Sequence, residues 1–373
     1  MESVTGIKHR ANFLLMIAVA VLVAAPVRMS VAYAQSDMPE GGFNAGNVHV
    51  SGHFDVQAVG HNAELNNNEF QIGQLAVDLS SKLSDRVSAA MEIAYGFDEQ
   101  VDIDEAFVDW NVYRWDGRPR YNPLATVSVG FKAGQFDVPF GLDWRSYRSL
   151  DRPLVSIPTV IANTHRGWND LGVEMHGELT WANWSAFAVN GFGTSSTLRL
   201  PDRPLPISLT AGETGATSDD VVPTEAYGAR FGLVMNEHIE FGTSFAAGYT
   251  DANAQDERLF GVDFTGQTEN LELKAEFINH QRNRADVKES VFGYYMQGRY
   301  NFNERWFGVV RQDAFNADGT VVYPMNIAMT STLLSASAGA GYRVSPKAQF
   351  RVEYQLAEGS NNDTVFLQTA VGF

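Results

Sequence analysis

Hydrophobic and polar positions alternate with period two along almost the whole chain beyond residue 46, and no stretch carries the 3.6-residue period of an amphipathic helix. The last segment is the clearest. Val365, Leu367, Thr369, Val371 and Phe373 fall on one face, and Gln368, Ala370 and Gly372 on the other. The segment before it repeats the pattern, with Phe350, Val352, Tyr354 and Leu356 against Arg351, Glu353 and Gln355. The spacing predicts strands over 47–60, 69–83, 86–97, 102–114, 124–136, 168–181, 184–192, 224–235, 238–250, 257–266, 269–281, 289–302, 305–315, 328–344, 348–357 and 363–373. The chain is therefore all-β, with an even count of about 16 strands, as a closed antiparallel sheet requires.

Alternation alone does not separate a membrane barrel from a soluble sandwich, but the links do. Short polar links at Ser84-Asp85, Ala182-Asn183, Asn236-Glu237, Asn303-Glu304 and Ser345-Pro346-Lys347 join strands at one end. Links at the other end are longer, including 137–167 and 193–222; the link from Trp115 to Pro123 is an exception. Short and long links in turn describe a transmembrane antiparallel up-and-down β-barrel with periplasmic turns and extracellular loops, whereas a Greek-key sandwich scatters its long connections. Trp110, Tyr113, Trp181, Trp184, Tyr249, Tyr300, Trp306 and Tyr342 fall near strand ends, where amphipathic rings sit at membrane interfaces.

The first residues agree with export. Lys8 and Arg10 precede the apolar run Phe13 to Ala25, and Ala32 and Ala34 flank Tyr33, the pattern of a signal peptide over 1–34 followed by a mature barrel over 35–373. The chain carries 27 basic and 44 acidic side chains. Removing Lys8, Arg10, Arg28 and Glu2 leaves 24 and 43, a formal net charge of −19. Such a surface repels phosphate backbones and argues against a nucleic-acid partner; it suits outer-membrane lipid and lipopolysaccharide bridged by divalent cations. Cysteine is absent, so the fold is held without covalent staples. After residue 34 no uncharged apolar stretch approaches ~18 residues, so a membrane crossing must be made by strands.

Two segments carry a resemblance. Val365-Phe366-Leu367-Gln368-Thr369-Ala370-Val371-Gly372-Phe373 resembles the C-terminal assembly signal of outer-membrane barrels, which implies the barrel-assembly machinery as a partner reading Phe373. Gly134-Gln135-Phe136-Asp137-Val138-Pro139-Phe140-Gly141-Leu142, followed by Ser149-Leu150-Asp151-Arg152-Pro153-Leu154, resembles the phosphate-selective porin O and P family. The resemblance covers about a tenth of the chain. It implies a third extracellular loop, 137–167, folded inward to narrow a channel, and a homotrimeric assembly.

That loop carries Arg145, Arg148, Arg152 and Arg166 against Asp137, Asp143 and Asp151, a basic balance in an acidic protein. Alternation adds Lys132, Arg230, Lys274, Arg299, Arg311 and Arg351 on the inward face, interleaved with Glu105, Asp109, Glu272, Glu276 and Glu353. An Arg or Lys pointing at lipid near the midplane costs about 2–4 kcal/mol, which places these groups in the lumen. Two readings of Arg145, Arg148 and Arg152 stand side by side: an anion-favouring constriction, or pairing with Asp143, Asp151 and wall carboxylates that pins the loop.

Catalytic and metal motifs are missing. His49 and His53 on one strand lie roughly 13 Å apart, too far for a shared ion. No Gly-x-Ser-x-Gly or His-Glu-x-x-His occurs, and Gly339-Ala340-Gly341 reads as close packing within a strand. The expectation is an outer-membrane porin passing small hydrophilic solutes by passive diffusion, with a preference for anions such as phosphate under the constriction reading, and without enzyme activity, metal or cofactor. The alternative is a non-conducting barrel serving as envelope anchor or surface-loop binder through loops such as 193–222 and 316–327.

Overall fold

The computed structural model describes residues 42–61, 69–95, 101–116, 126–145, 148–192, 225–249, 256–284, 287–318, 321–322, 327–328, 332–357 and 363–373. The signal segment 1–34 and the loop 193–222 lie outside the described residues. Sixteen long strands follow one another: β1 Val48–His61, β2 Glu69–Lys82, β3 Val87–Tyr95, β4 Val101–Asp116, β5 Thr126–Asp137, β6 Asn169–Leu179, β7 Ala182–Val189, β8 Ala226–Asn236, β9 Ile239–Tyr249, β10 Asp256–Gln267, β11 Leu271–Arg284, β12 Val287–Asn301, β13 Trp306–Asp318, β14 Thr332–Ser345, β15 Ala348–Ala357 and β16 Thr364–Gly372. Each pairs antiparallel with the next, and β16 pairs back onto β1 from Thr364↔His61 to Gly372↔His53. The sheet is closed. Every expected strand is present, with ends shifted by a few residues; Ala328, expected at the start of β14, instead belongs with Ile327 to a short segment that pairs with Val321–Val322 in a separate two-stranded sheet.

One further strand, Phe43–Ala45, was not foreseen. It turns back at Gly46-Asn47 and pairs with Val48–Val50. The terminal residue Phe373 exchanges two backbone hydrogen bonds with Gly52, at 2.9 and 3.2 Å. The first strand is thus covered along its seam by two separate segments, one from each end of the chain.

The wall is inverted relative to a soluble protein. Phe54, Val56, Met91, Trp110, Phe131, Val173, Phe231, Phe260, Met296, Val352 and Leu367 point outward and are exposed, while Asp55, Glu174, Asp263, Glu276, Asp313 and Glu353 point inward and are buried. An apolar exterior around a charged interior is a wall that lipid solvates well and water does not. Trp110, Tyr113, Trp181, Tyr249 and Trp306 are exposed, as interfacial rings require, and Trp306 lies 4.7 Å from Tyr342.

Glu272 faces Arg299 across β11–β12, Asp109 faces Lys132 across β4–β5, and Arg351 faces Gln368 across β15–β16. The glycine run also packs as expected: a Cβ at Gly341 would lie 2.0 Å from the Phe307 ring, so the ring fills the place where a side chain would stand.

Candidate functional site

The described residues that follow β5, 138–145 and 148–167, make their contacts with side chains of the wall strands. Their first contact uses the Pro139-Phe140-Gly141 sequence. Gly141 adopts φ +62°, which glycine tolerates readily. Its N–H donates to Ser244 Oγ at 3.0 Å, its carbonyl accepts from Arg230 Nε at 3.0 Å, and the next N–H, of Leu142, donates to Glu276 Oε1 at 3.3 Å. A Cβ at 141 would stand 1.8 Å from Glu276 Oε1, so no other residue brings the backbone this close. Phe140 is fully buried beside it, edge-on to His165 at 4.8 Å, in an apolar cluster with Phe136, Ile161, Trp168, Phe187 and Leu259.

The loop then descends to the short-turn end of the wall. Arg145 donates to Glu240 at 3.1 Å and to Asn183 at 3.3 Å, with its guanidinium 5.0 Å from the Trp144 ring. Arg148 reaches Asp78 at 3.4 Å and Glu92 at 3.9 Å. The Ser149 N–H donates to Gln74 Oε1 at 2.7 Å, and Gln349 Nε2 donates to the Leu150 carbonyl at 2.8 Å. Arg351 donates to the carbonyls of Ser149 and Arg152.

The return limb has its own anchor. Glu353 accepts from the N–H groups of Val155 and Ser156 at 2.7 and 2.9 Å and from Ser156 Oγ. Arg311 donates to Asp313 at 2.9 Å and to the Ser156 carbonyl at 2.7 Å. Asp313 also takes the N–H of Thr159, the first residue of a short helix α1, Thr159–Thr164. Asp143 accepts from the Gly167 N–H at 3.5 Å and lies within Coulombic reach of Arg152 and Arg166, so it ties the outgoing limb to the returning one. Burial pushes the Asp143 carboxyl up from its ordinary value, and the two arginines pull it back. Burial also raises the Asp151 carboxyl and lowers the His165 imidazole to about 3.

Of the expected wall cations, Arg230, Arg311 and Arg351 hold the loop. Arg230 is further bound to Asp263 at 2.8 Å and Glu240 at 3.2 Å. Lys132 is matched by Glu174 at 3.0 Å beneath Phe107, and Lys274 and Arg299 share Glu272 at 3.3 and 2.5 Å. Sequence reasoning missed Asp78, Glu92, Glu240, Asp263, Asp313 and Arg343. Asp313 had a usable signal, since it lies two residues from Arg311 on the same face of one strand. The interior is also uneven around the ring. Asp78, Glu92, Glu105, Asp109 and Glu174 line β2 to β6, where the opposing groups are Lys132, Arg148 and His176.

No protein-family model matches the chain, and no curated protein matches it by sequence. Solved structures do match its fold. A loop L8 deletion mutant of OmpT, an outer membrane protein of Vibrio cholerae, superposes with a TM-score of 0.59 at 10% identity, covering 88% of this chain and 100% of that one. The outer membrane channel DcaP of Acinetobacter baumannii gives 0.58 at 13%, covering 89% and 99%. An anion-selective porin from Comamonas acidovorans gives 0.60 at 9%, covering 87% and 99%. The chain has the fold of an outer-membrane porin: a closed sixteen-stranded antiparallel barrel with one additional short strand.

Proposed function

We propose that this protein is a porin of the outer membrane, through which small hydrophilic solutes diffuse past the loop 137–167. The observation that carries the reading is the interior itself: a closed ring of sixteen strands lined by charged side chains, crossed by a loop that arginines and carboxylates hold in place. Charges of both signs facing inward keep water in whatever passage the loop leaves. In this reading Arg145 and Arg148 pin the loop, because each is matched by a wall carboxylate, and the passage is shaped by where they hold the backbone. Arg152, Arg166, Asp143 and Asp151 brace the two limbs against each other.

Single-channel recording of the refolded mature chain tests this. Stepwise conductance is expected, and a silent bilayer containing verified folded barrel overturns the reading. A second reading, a non-conducting barrel, is favoured by one observation: hydrogen bonds from the loop reach β2, β7, β8, β9, β11, β13 and β15, well round the ring. Under that reading Arg148→Gln leaves the bilayer silent, whereas a porin changes its conductance.

Cleavage after Ala34 would release the barrel to the periplasm, and Phe373, seated on Gly52 at the seam, suits recognition by the barrel-assembly machinery. The exposed apolar belt suits outer-membrane lipid, with lipopolysaccharide on the outer leaflet. A trimer form is described for the Vibrio cholerae OmpT neighbour, which supports a homotrimer here.

A further inference from the structure

Strand register lays two rows of outward residues across the seam of the barrel, from β13 to β2. The lower row runs Trp306, Tyr342, Phe350, Thr369 and Val56, each opposite the next. The upper row, two residues nearer the long-loop end, runs Ala340, Val352, Leu367, Ala58 and Phe70. Trp306, Phe350, Val352, Leu367 and Phe70 are long and exposed, whereas Ala340, Thr369 and Ala58 are short. The short residues leave an apolar groove of about 390 Å³ on the outer face.

The groove runs obliquely. Trp306 is the first residue of β13, beside the short turn Asn303-Glu304, and Phe70 is the second residue of β2, at the long-loop end. Barrel strands tilt by roughly 35–45°, so a row perpendicular to them climbs the wall. Five inter-strand steps of about 4.8 Å give a length of about 24 Å, enough for a lipid chain whose leaflet holds half of a hydrocarbon core about 30 Å thick. The lower end is marked chemically. Arg305 is exposed and donates from Nη1 to Tyr342 Oη at 3.4 Å, and the Trp306 ring lies 4.7 Å from that of Tyr342. Among the described residues no ion pair holds Arg305; Glu304 precedes it in the same exposed turn.

We propose that this groove holds one acyl chain of a phospholipid from the periplasmic leaflet, with the lipid phosphate against Arg305 and the Tyr342 hydroxyl. Lipid tails are as apolar as the wall, so burial does not drive the contact. The groove selects a chain by shape and van der Waals contact, and the cation selects the headgroup. An exposed guanidinium beside a Trp-Tyr pair stands at headgroup depth and donates to phosphate oxygens. Lipopolysaccharide does not fit, because its phosphates lie at the opposite, long-loop end. The inference rests on the short turns facing the periplasm and does not depend on conduction.

Native mass spectrometry of the refolded mature chain, released from detergent after titration with dioleoylphosphatidylglycerol, counts lipid and subunits in one spectrum. Saturable retention of one lipid per chain is expected. Ala340→Phe places a ring in the floor of the groove and is expected to lower retention by about fivefold or more, since the acyl chain loses its shape-matched contacts. Arg305→Gln is expected to remove the preference for dioleoylphosphatidylglycerol over dioleoylglycerol, which has the same chains and no phosphate. Phe260→Ala, at an exposed position on β10, is expected to leave retention unchanged. Heat-modifiable migration verifies that each variant is folded. Equal retention by folded Ala340→Phe, or lipid counts that rise without a plateau, overturns the groove as a site. Unchanged preference in Arg305→Gln overturns the headgroup contact. Lipid-free oligomers that Ala340→Phe dissociates would overturn the lipid and assign the groove to a second copy. A silent bilayer together with saturable lipid retention would reject the porin reading and leave the lipid site standing.

Discussion

Gly141→Ala is expected to undock the outgoing limb of the loop while leaving the wall intact. The added methyl would lie 1.8 Å from Glu276 Oε1, and a non-glycine residue at φ +62° carries about 1 kcal/mol of backbone strain. Relieving the clash moves Glu276 or the loop. Either movement breaks the Leu142 N–H bond, and a loop shift also breaks the bonds to Ser244 and Arg230. With about 1 kcal/mol for the neutral bond and about 1.5–3 for each of the two bonds to a charged group, the total when all three break is roughly 4–7 kcal/mol. The docked population then falls by roughly three to five orders of magnitude relative to the undocked one. Hydrogen exchange followed by mass spectrometry on peptides covering 138–145 reads this directly, with heat-modifiable gel migration confirming the barrel. Gly46→Ala separates strain from collision, because Gly46 has φ +67° but a Cβ there meets nothing within 4 Å. Fast exchange in 138–145 for Gly141→Ala, slow exchange for Gly46→Ala, and partial recovery in Gly141→Ala with Glu276→Ala are expected. Equally slow exchange in the native chain and Gly141→Ala would refute the close-approach argument.

Three further outcomes follow from the same geometry. Arg311→Met leaves Asp313 and Glu353 buried without their cation, a change that typically costs about 3–5 kcal/mol, and limited proteolysis is expected to cut near Ser156 in the variant alone. His165 is held neutral by burial, with its pKa lowered to about 3, so its share of loop docking is complete above pH ~6.5 and declines as pH falls from there towards 3. Asp143 acts oppositely, since a carboxyl raised by burial favours docking at the acid end and loses that contribution as pH rises. His165→Phe is therefore expected to flatten the acid-side rise in loop exchange between pH 6.5 and 4, and an unchanged slope would count against the burial argument. Phe373→Ala removes the ring packed on Gly52 and is expected to lower the yield of heat-modifiable barrel, measured by gel densitometry after refolding and in cells.

The sixteen strands were legible because one side of each wall strand faces lipid and the other does not, and such a contrast writes itself into every second residue. Arg351 and Glu353 alternate with Phe350 and Val352, and their inward placement needed no coordinates. Bulges hid other residues. In β2, Asp55 pairs with Gln74 and Val56 with Ile72, leaving Gly73 as an extra residue that reverses the phase; only after that reversal does Asp78 fall inward. The step from Glu92↔Glu105 to Ile93↔Ile103 works the same way. The fate of the loop arginines was not legible. Their partners lie far along the chain, as with Arg145 and Glu240, so the choice between constriction and pin depended on contacts that period-two patterning does not encode.

The seam has a consequence for how the molecule lives before it is finished. A sheet closed by its first and last strands must hold the first strand's free edge until the last residues arrive, and a free edge recruits any other strand at hand. Phe43–Ala45 folds back onto Val48–Val50, so part of that edge is occupied by a local hairpin with no need to wait for the distant terminus. What remains open is the stretch from Gly52 to His61, matched by Thr364 to Phe373 of the same chain. The short hairpin thus acts as a hem: it narrows the interval of sequence over which two nascent copies could exchange their last strands, and it sets the point at which a correctly joined ring stops zipping.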